Sequence, residues 1–246
     1  MNSIATGRKR DPMAKTLPTL PRFTGFADPN ARFFRALAKH QHRDWFQQHR
    51  DEYEQGWRLP MVALLTELRE RIDRLFPQHP LAAPKVFRIN RDVRFGKDKS
   101  PYKTHIGGYI AIDGAGSGPS VPAPLYLHIS PSETFAAAGH YMMLPPQLAR
   151  FRAALLDDDR GGHLAGILRK LERAGCTIAS HEVLQRVPRG VDPAHPRADL
   201  LKQKGLIVTF PTLPRDLLVS AALLPWLMTH VKRAAPLVEW LAALDD

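Results

Sequence analysis

The spacing of apolar residues changes twice along this chain, and the order of these changes constrains the fold more than any other feature. Apolar residues recur at helical spacing over residues 28–75, alternate as in strands over residues 86–141, and return to helical spacing from residue 146 onward. Short connections between the strand-like segments favour antiparallel pairing. The sequence therefore predicts an α+β fold with one antiparallel or mixed sheet flanked by N-terminal and C-terminal helices.

The individual elements follow from the same spacing. Asp28-Pro29 is typical of an N-cap followed by proline, so a first helix is predicted to begin there, with further helices around Trp45 and Tyr53 and over residues 60–75. The predicted strands cover residues 86–95, 104–112, 125–130, 134–141 and 206–210. The predicted later helices cover residues 146–156, 163–174, 196–204 and about the last 25 residues.

Length and composition predict one domain. The chain has 246 residues, 44% of them hydrophobic, which suffices for a sizeable core, and no linker divides residues 22–246. Residues 1–21 carry the run Gly7-Arg8-Lys9-Arg10 and three prolines without a periodic apolar face. We therefore expect a disordered basic arm followed by a single α+β domain.

The expected location is the cytoplasm. Cys176 is the only cysteine, so no internal disulfide can form, and this is typical of a protein in a reducing compartment. The longest apolar stretches, near residues 219–228 and 237–244, are interrupted by Pro225 or fall far short of the roughly 20 residues that a membrane helix needs. We expect no membrane partner, and the sequence leaves the oligomeric state open.

Basic charge is concentrated in one segment of the predicted domain. The formal net charge is +11, of which residues 88–105 contribute +4 from six basic and two acidic side chains. Residues 1–22 contribute another +4, which leaves +3 for the remaining 206 residues. A local excess of cations in an ordered segment is typical of an anion-binding site.

Residues 87–95 alternate as a strand with one apolar and one polar face. The predicted apolar face consists of Phe87, Ile89, Val93 and Phe95, and the predicted polar face consists of Arg88, Asn90, Asp92 and Arg94. Two guanidinium groups beside a carboxylate suit bidentate recognition of phosphate or carboxylate. Arg91 falls on the apolar face, so either a bulge re-aims it or it is buried against an acidic partner.

A turn rich in glycine, aspartate and proline follows over residues 96–101, and more cations follow the turn. We predict that this segment binds a phosphate-bearing or other anionic ligand. The predicted ligand-binding residues are Arg88, Arg91, Asp92, Arg94, Lys97, Lys99, Tyr102 and Lys103. Asp92 is expected to orient an arginine, and Asp98 to cap the turn. The alternative is a surface ladder of ion pairs, which would contribute little to stability.

Catalysis on a phosphorylated substrate is a second hypothesis for the same segment. Its candidate proton carriers are His105, His128 and Asp92, since histidine titrates near neutral pH. The sequence contains no serine nucleophile elbow and no complete phosphate loop, because the glycine required before Gly96-Lys97 is missing. These absences count against an enzyme without excluding one.

Metal and nucleic-acid hypotheses draw on weaker patterns. If residues 125–141 form a hairpin, His140 approaches His128, with His105 on the neighbouring strand, but no HExxH or paired-cysteine spacing supports a metal site. We expect no metal and no cofactor. A nucleic-acid-binding module and a docking surface for an acidic protein stay open, although no aromatic-rich exposed sheet or helix-turn-helix pattern is predicted.

The motif around Arg91 resembles the hallmark of a known family. Arg91-Asp-Val-Arg-Phe95 followed by Lys97-Asp-Lys-Ser-Pro-Tyr-Lys103 is similar to the motif of the bacterial and fungal domain of unknown function 2461 family. Further similar positions are Phe23-Thr-Gly-Phe26, Arg43-Asp-Trp-Phe46, Tyr126-x-His128, Gly139-His-Tyr141, Pro188-Arg-Gly190, His195-Pro196, Leu200-Leu201 and Lys204-Gly-Leu206. The resemblance implies an α+β domain and no particular reaction.

Overall fold

The structure is a computed structural model that describes residues 22–94, 97–114 and 118–244. The expected basic arm over residues 1–21 therefore lies outside the described residues, as do Phe95 and Gly96 of the basic segment. The helices are α1 (Arg32–Lys39), α2 (Arg43–Gln48), α3 (Arg50–Tyr53), α4 (Leu59–Ile72), α5 (Pro145–Leu156), α6 (Asp158–Arg173), α7 (Ala198–Leu201) and α8 (Leu223–Ala242). The strands are β1 (Lys85–Val86), β2 (Ile106–Ile110), β3 (Pro122–Ile129), β4 (Thr134–His140), β5 (Thr177–Ala179) and β6 (Leu206–Thr209).

The six strands form one antiparallel sheet in the order β1-β2-β3-β4-β6-β5. Strands β2, β3 and β4 are joined by short connections, and their register places His128 opposite both Gly107 and Phe135. Strand β5 lies at the edge beside β6 and was not predicted. The arrangement confirms the predicted α+β class with an antiparallel sheet and flanking helices.

One face of the sheet packs against helices and forms the main core. Helices α4 and α8 cover this face, α4 over β1 and β2, and α8 over β3 and β4. A Cβ atom on Gly108 would stand 2.6 Å from Leu65 Cδ1, so glycine lets α4 lie close to β2. The core extends along the chain from Phe23 to Leu244. None of the helices within the described residues is both long and apolar enough to cross a bilayer.

The other face of the sheet, called the outer face here, carries Tyr109, Tyr126, His128 and Phe135. Tyr109 belongs to a small apolar cluster with Ala111 and Val121 that is separate from the main core, and Tyr126 packs against it. The alternation of side chains along each strand explains the division, because neighbouring residues point to opposite faces.

The helical boundaries near the N-terminus differ from the prediction. Helix α1 begins at Arg32 rather than directly after Pro29, because Ala31 adopts a left-handed conformation with φ of 51°. The Asp28 carboxylate nevertheless accepts hydrogen bonds from the backbone N–H groups of Asn30 and Arg32, at 2.8 and 3.1 Å. The segment around Trp45 is divided into α2 and α3, and a π-helical turn over Glu54–Arg58 leads into α4.

The predicted strand over residues 86–95 is wrong beyond Val86. After β1 the chain leaves the sheet, and an isolated bridge pairs Asn90 with Tyr102. The Arg91 N–H donates to the Pro101 carbonyl at 2.8 Å, and the Lys103 N–H donates to the Ile89 carbonyl at 2.8 Å. The Phe87 N–H still donates to the Gly107 carbonyl of β2 at 2.9 Å, and beyond Phe87 the described part of the segment closes on itself as a loop. The predicted helix over residues 196–204 likewise shortens to α7.

Candidate functional site

The loop from Phe87 to His105, called the basic loop here, is held at its base by Tyr102. The Tyr102 ring is buried and stacks on Phe46 with ring centroids 4.5 Å apart. The Gln41 side-chain oxygen accepts a hydrogen bond from the Tyr102 N–H at 3.0 Å. Tyr102 was predicted to contact the ligand, but the structure packs its ring into the core, where it anchors the loop.

Two of the predicted cations, Arg88 and Arg91, lie within electrostatic range of a third, Lys103. Burial lowers the pKa of Lys103, and the nearby positive charges of Arg88 and Arg91 lower it further. The Arg91 guanidinium lies 3.1 Å from Asp98 Oδ2 and donates a long hydrogen bond of 3.4 Å to the Tyr102 carbonyl. An acidic partner thus accompanies Arg91 as predicted, but the pair is not buried, because the side chain of Asp98 is 55% exposed.

The other predicted residues are held by local contacts. The Arg94 guanidinium donates to both oxygens of Asp92, at 3.0 and 2.7 Å, so Asp92 orients an arginine as predicted. These hydrogen bonds lower the pKa of Asp92, which makes it a poor proton carrier near neutral pH. The Lys99 ammonium donates to the Val93 carbonyl at 2.8 Å, and Lys97 is exposed.

The predicted turn cap at Asp98 is confirmed. Its carboxylate accepts a hydrogen bond from the Ser100 N–H at 2.9 Å. The same side chain contacts Arg91, so one aspartate shapes the turn and positions a guanidinium.

Two histidines meet on the outer face beside the basic loop. The rings of His105, which precedes β2, and His128 on β3 have centroids 4.5 Å apart. His128 Nδ1 lies 3.1 Å from the Tyr126 hydroxyl, and its Nε2 lies 3.5 Å from Glu133 Oε1. Because a carboxylate only accepts hydrogen bonds, we assign the proton to Nε2, so that Nδ1 accepts from the Tyr126 O–H.

Burial keeps both imidazoles neutral. It lowers the pKa of His105 to about 4, and the neighbouring His128, Lys103 and Arg91 lower it in the same direction. Burial also lowers the pKa of His128 and raises the pKa of Tyr126 to about 12. At neutral pH both histidines can therefore donate and accept hydrogen bonds without adding charge.

Aromatic side chains continue the site across the outer face in what we call the aromatic row, which consists of Phe87, Tyr109, Tyr126 and Phe135. The Phe87 ring centroid lies 5.5 Å from that of Tyr109 and 6.3 Å from that of Tyr126, and Tyr126 lies 5.7 Å from Phe135. The Lys103 ammonium stands 5.3 Å from the Phe87 ring centroid. Phe87, which directly follows β1, is 39% exposed.

His140 does not join the other two histidines. Residues 122–140 do form a hairpin, but its register pairs His140 with Pro122 and brings Phe135 opposite His128. His140 therefore lies at the far end of the hairpin. The described residues contain no group of three or more His, Cys, Asp or Glu side chains placed to hold a metal ion.

Two open clefts lie on the helical part of the molecule, away from the predicted residues. A cleft of about 320 Å³ is lined by Asp159, His163 and Trp240, and one of about 580 Å³ by Glu70 and Arg74. Neither contains a residue of the basic loop or the aromatic row. We place the candidate site at the outer face instead, since charge, aromatic surface and paired histidines coincide there.

Fold and site together define a class of protein: an α+β chain whose antiparallel sheet is covered by helices on one face and bears a basic loop beside the other. The family described as conserved hypothetical protein (DUF2461) matches residues 30–240, so the chain belongs to this family. The match confirms the resemblance seen around Arg91. Comparison with curated proteins finds no significant match.

The neutral state of His105 predicts a loss of stability in mild acid. Its pKa of about 4 in the folded protein lies below the ordinary value of 6.5, so the unfolded chain binds more protons between these values. The free energy of unfolding should therefore fall as the pH drops from 7 through 5. Replacing His105→Asn should flatten this dependence by up to about one proton. Urea denaturation at pH 7.5 and 5.0 measures the difference.

The matched control is His163→Asn, at an exposed position on α6. This variant should keep the pH dependence of the wild type, which separates the effect of the His105 ring from the loss of any histidine. An unchanged dependence in His105→Asn would show that this ring is not held neutral by its surroundings.

Proposed function

We propose that the protein binds a phosphate-bearing or otherwise anionic ligand where the basic loop meets the outer face of the sheet. The observation that carries the proposal is the position of Lys103: its ammonium stands 5.3 Å from the Phe87 ring centroid. Arg88 and Arg91 are near enough to act on the charge of Lys103, and Arg91 and Lys103 are near enough to act on the His105 ring of the histidine pair. Like charges held together oppose folding, and an anion between them would offset that cost. The half-exposed Asp98 leaves part of the Arg91 guanidinium accessible to a ligand.

The cations would contribute to anion binding in different ways. Arg91 offers a planar guanidinium for two parallel hydrogen bonds to a phosphate, and Lys103 offers a compact positive charge. Neutral His105 can donate one hydrogen bond to a phosphate oxygen. Arg94 and Lys99, which are held by Asp92 and by a backbone carbonyl, add attraction over a Debye length of about 8 Å.

Calorimetric titration with inorganic phosphate, pyrophosphate and tripolyphosphate tests the proposal. The double variant Arg88→Ala/Lys103→Ala should bind the tightest of these anions at least about tenfold more weakly than the wild type, because it loses two charge-assisted contacts. The control Arg169→Ala/Lys170→Ala removes the same charge from exposed positions on α6 and should keep wild-type affinity. Equal weakening in both double variants would mean that only net charge matters, and the proposal would be wrong.

An enzyme acting on a phosphorylated substrate is the second candidate, and one specific observation favours it. The contacts of His128 with Tyr126 and Glu133 place a hydroxyl, an imidazole and a carboxylate in series. A base oriented by a third group in this way is the arrangement that activates hydroxyl groups in many enzymes. The high pKa of Tyr126 favours its protonated form, which suits a proton donor to a leaving group.

A screen of phosphorylated metabolites and nucleotides tests this candidate. Turnover should disappear in His128→Gln, while the affinity for inorganic phosphate survives. Glutamine retains a hydrogen-bonding side chain at this buried position but cannot transfer the proton. Turnover that falls only in proportion to the folded fraction of His128→Gln would contradict the catalytic assignment.

A further inference from the structure

We infer that the anionic ligand also carries a flat aromatic ring, as a nucleoside phosphate does, and that this ring lies on the aromatic row. The inference rests on the proposed function, because the row adjoins the cations assigned there to the phosphate. It adds the chemical class of the ligand.

The aromatic row does not fill the main core. Tyr109 packs with Ala111 and Val121 in a cluster of its own, on the sheet face opposite the one covered by α4 and α8. Phe87 precedes this cluster in the chain and contacts both tyrosines. Aromatic side chains gathered outside the core at a sheet surface are the platforms on which proteins stack planar ligands.

The row is accessible at the end that lies beside the cations. Phe87 is 39% exposed, and Tyr126 and Phe135 are partly exposed. Exposed phenyl surface is unfavourable in water, and a second ring laid against it gains both burial and offset stacking. A ring-bearing ligand would therefore cover the part of the row that the protein leaves open.

The positions proposed for the aromatic ring and for the phosphate of the ligand are adjacent. The Lys103 ammonium stands 5.3 Å from the Phe87 ring centroid, so one small molecule can contact the aromatic surface and the cations together. Gly107 lies below the row: a Cβ atom there would come within 3.2 Å of the Tyr126 hydroxyl and 3.4 Å of Phe87 Cδ2. The lack of a side chain keeps both rings close to the sheet.

Polar groups at the row match the edge of a nucleobase. The Tyr126 hydroxyl, whose proton is donated to His128, and the unprotonated nitrogen of the neutral His105 imidazole can each accept a hydrogen bond from a donor on the base. Nucleobases present donors and acceptors side by side on their edges. A purely apolar ring would leave these groups unpaired once it excluded water.

The charge distribution favours a single nucleotide over a nucleic-acid strand. A strand needs cations along its whole path, since backbone contacts supply most of its affinity. Here Lys103 stands at the Phe87 end, with Arg88 and Arg91 within its electrostatic range, whereas the anionic Glu133 side chain contacts His128. The site therefore suits a ligand that carries phosphate at one end only.

Calorimetric titration of the full chain with AMP, GMP, CMP, UMP, ribose 5-phosphate and inorganic phosphate tests the inference. At least one nucleotide should bind about tenfold or more tightly than ribose 5-phosphate, which has the phosphate but no base. Phe87→Leu should remove most of that advantage while the affinity for ribose 5-phosphate stays unchanged. Leu156→Ala, which alters an exposed apolar residue at the C-terminal end of α5, should change neither affinity.

The outcomes separate this inference from the proposed function. Equal affinities for ribose 5-phosphate and all four nucleotides would overturn the inference and leave anion binding intact. Failure of the wild type to bind any of the six compounds, pyrophosphate, tripolyphosphate or a thymidine decanucleotide would overturn both. Binding of a thymidine decanucleotide at low salt, without binding of mononucleotides, would overturn the assignment of a single nucleotide in favour of a strand.

Discussion

Replacing Gly139→Ala is expected to destabilise the protein by about 2–5 kcal/mol, through backbone strain and overpacking together. Gly139 lies on β4 with φ of 125°, a conformation that residues with a side chain rarely adopt. A Cβ atom there would overlap the Leu206 carbonyl oxygen and lie 2.9 Å from Ile207 Cα. Strands β4 and β6 would have to separate, and their pairing joins the two halves of the sheet.

The matched control is Gly162→Ala. Gly162 lies in α6, and a Cβ atom there would meet nothing within 4 Å. Alanine should therefore stabilise the helix by about 0.5–1 kcal/mol. Urea denaturation of both variants measures the free energies of unfolding, and similar values for the two would contradict the role assigned to the close approach of β4 and β6.

Replacing Trp57→Ala is expected to cost about 3–5 kcal/mol, because it leaves a large cavity in the core. Trp57 is fully buried, and its ring centroid lies 5.7 Å from that of Phe26 and 5.0 Å from that of Phe34. The midpoint of chemical denaturation should fall while the slope with denaturant stays unchanged.

Trp57→Phe separates ring packing from hydrogen bonding. The buried Trp57 Nε1 has no hydrogen-bond partner among the described residues, so removal of this N–H should not cost a hydrogen bond. The phenyl ring retains contacts with Phe26 and Phe34, and the loss of stability should be less than half of that in Trp57→Ala. A loss as large as that of alanine would show that the volume of the indole, rather than aromatic contact, is what this position requires.

The fold could be predicted where one local pattern decided the structure. The strands around residues 125–130 and 134–141 alternate strongly and are joined by a short polar turn, so the hairpin of β3 and β4 follows from the sequence. The boundaries of α1 and α2 did not follow, since they depend on the left-handed conformation of Ala31 and on a break near His49. Spacing of apolar residues carries no signal for either.

The basic loop shows why alternation alone can mislead. Residues 87–95 match a strand template, yet only Phe87 bonds to the neighbouring strand, and the backbone of Ile89 and Arg91 bonds to Lys103 and Pro101 instead. The contact that fixes the loop joins Gln41 to Tyr102, 61 positions apart. Its cations were predicted from their density, but this long-range contact, which holds the loop in place, was not.

The aromatic row was missed for a related reason. The alternation within β2, β3 and β4 assigns Tyr109, Tyr126 and Phe135 to single faces, but only the register between strands shows that these faces coincide. The same register carried His140 away from His128. The side chains that share a face of one strand can be predicted from the sequence, whereas the side chains that lie next to each other on neighbouring strands cannot.

The division of the sheet into a helix-covered face and an outer face has a consequence for how the protein tolerates change. The apolar cluster at Tyr109 shares no buried residue with the main core around Trp57. Substitutions at separate sites combine nearly additively in their effects on stability. Substitutions on the outer face can therefore change ligand preference while the core on the helix-covered face maintains the stability of the fold. Ligand recognition and stability can thus change independently of each other.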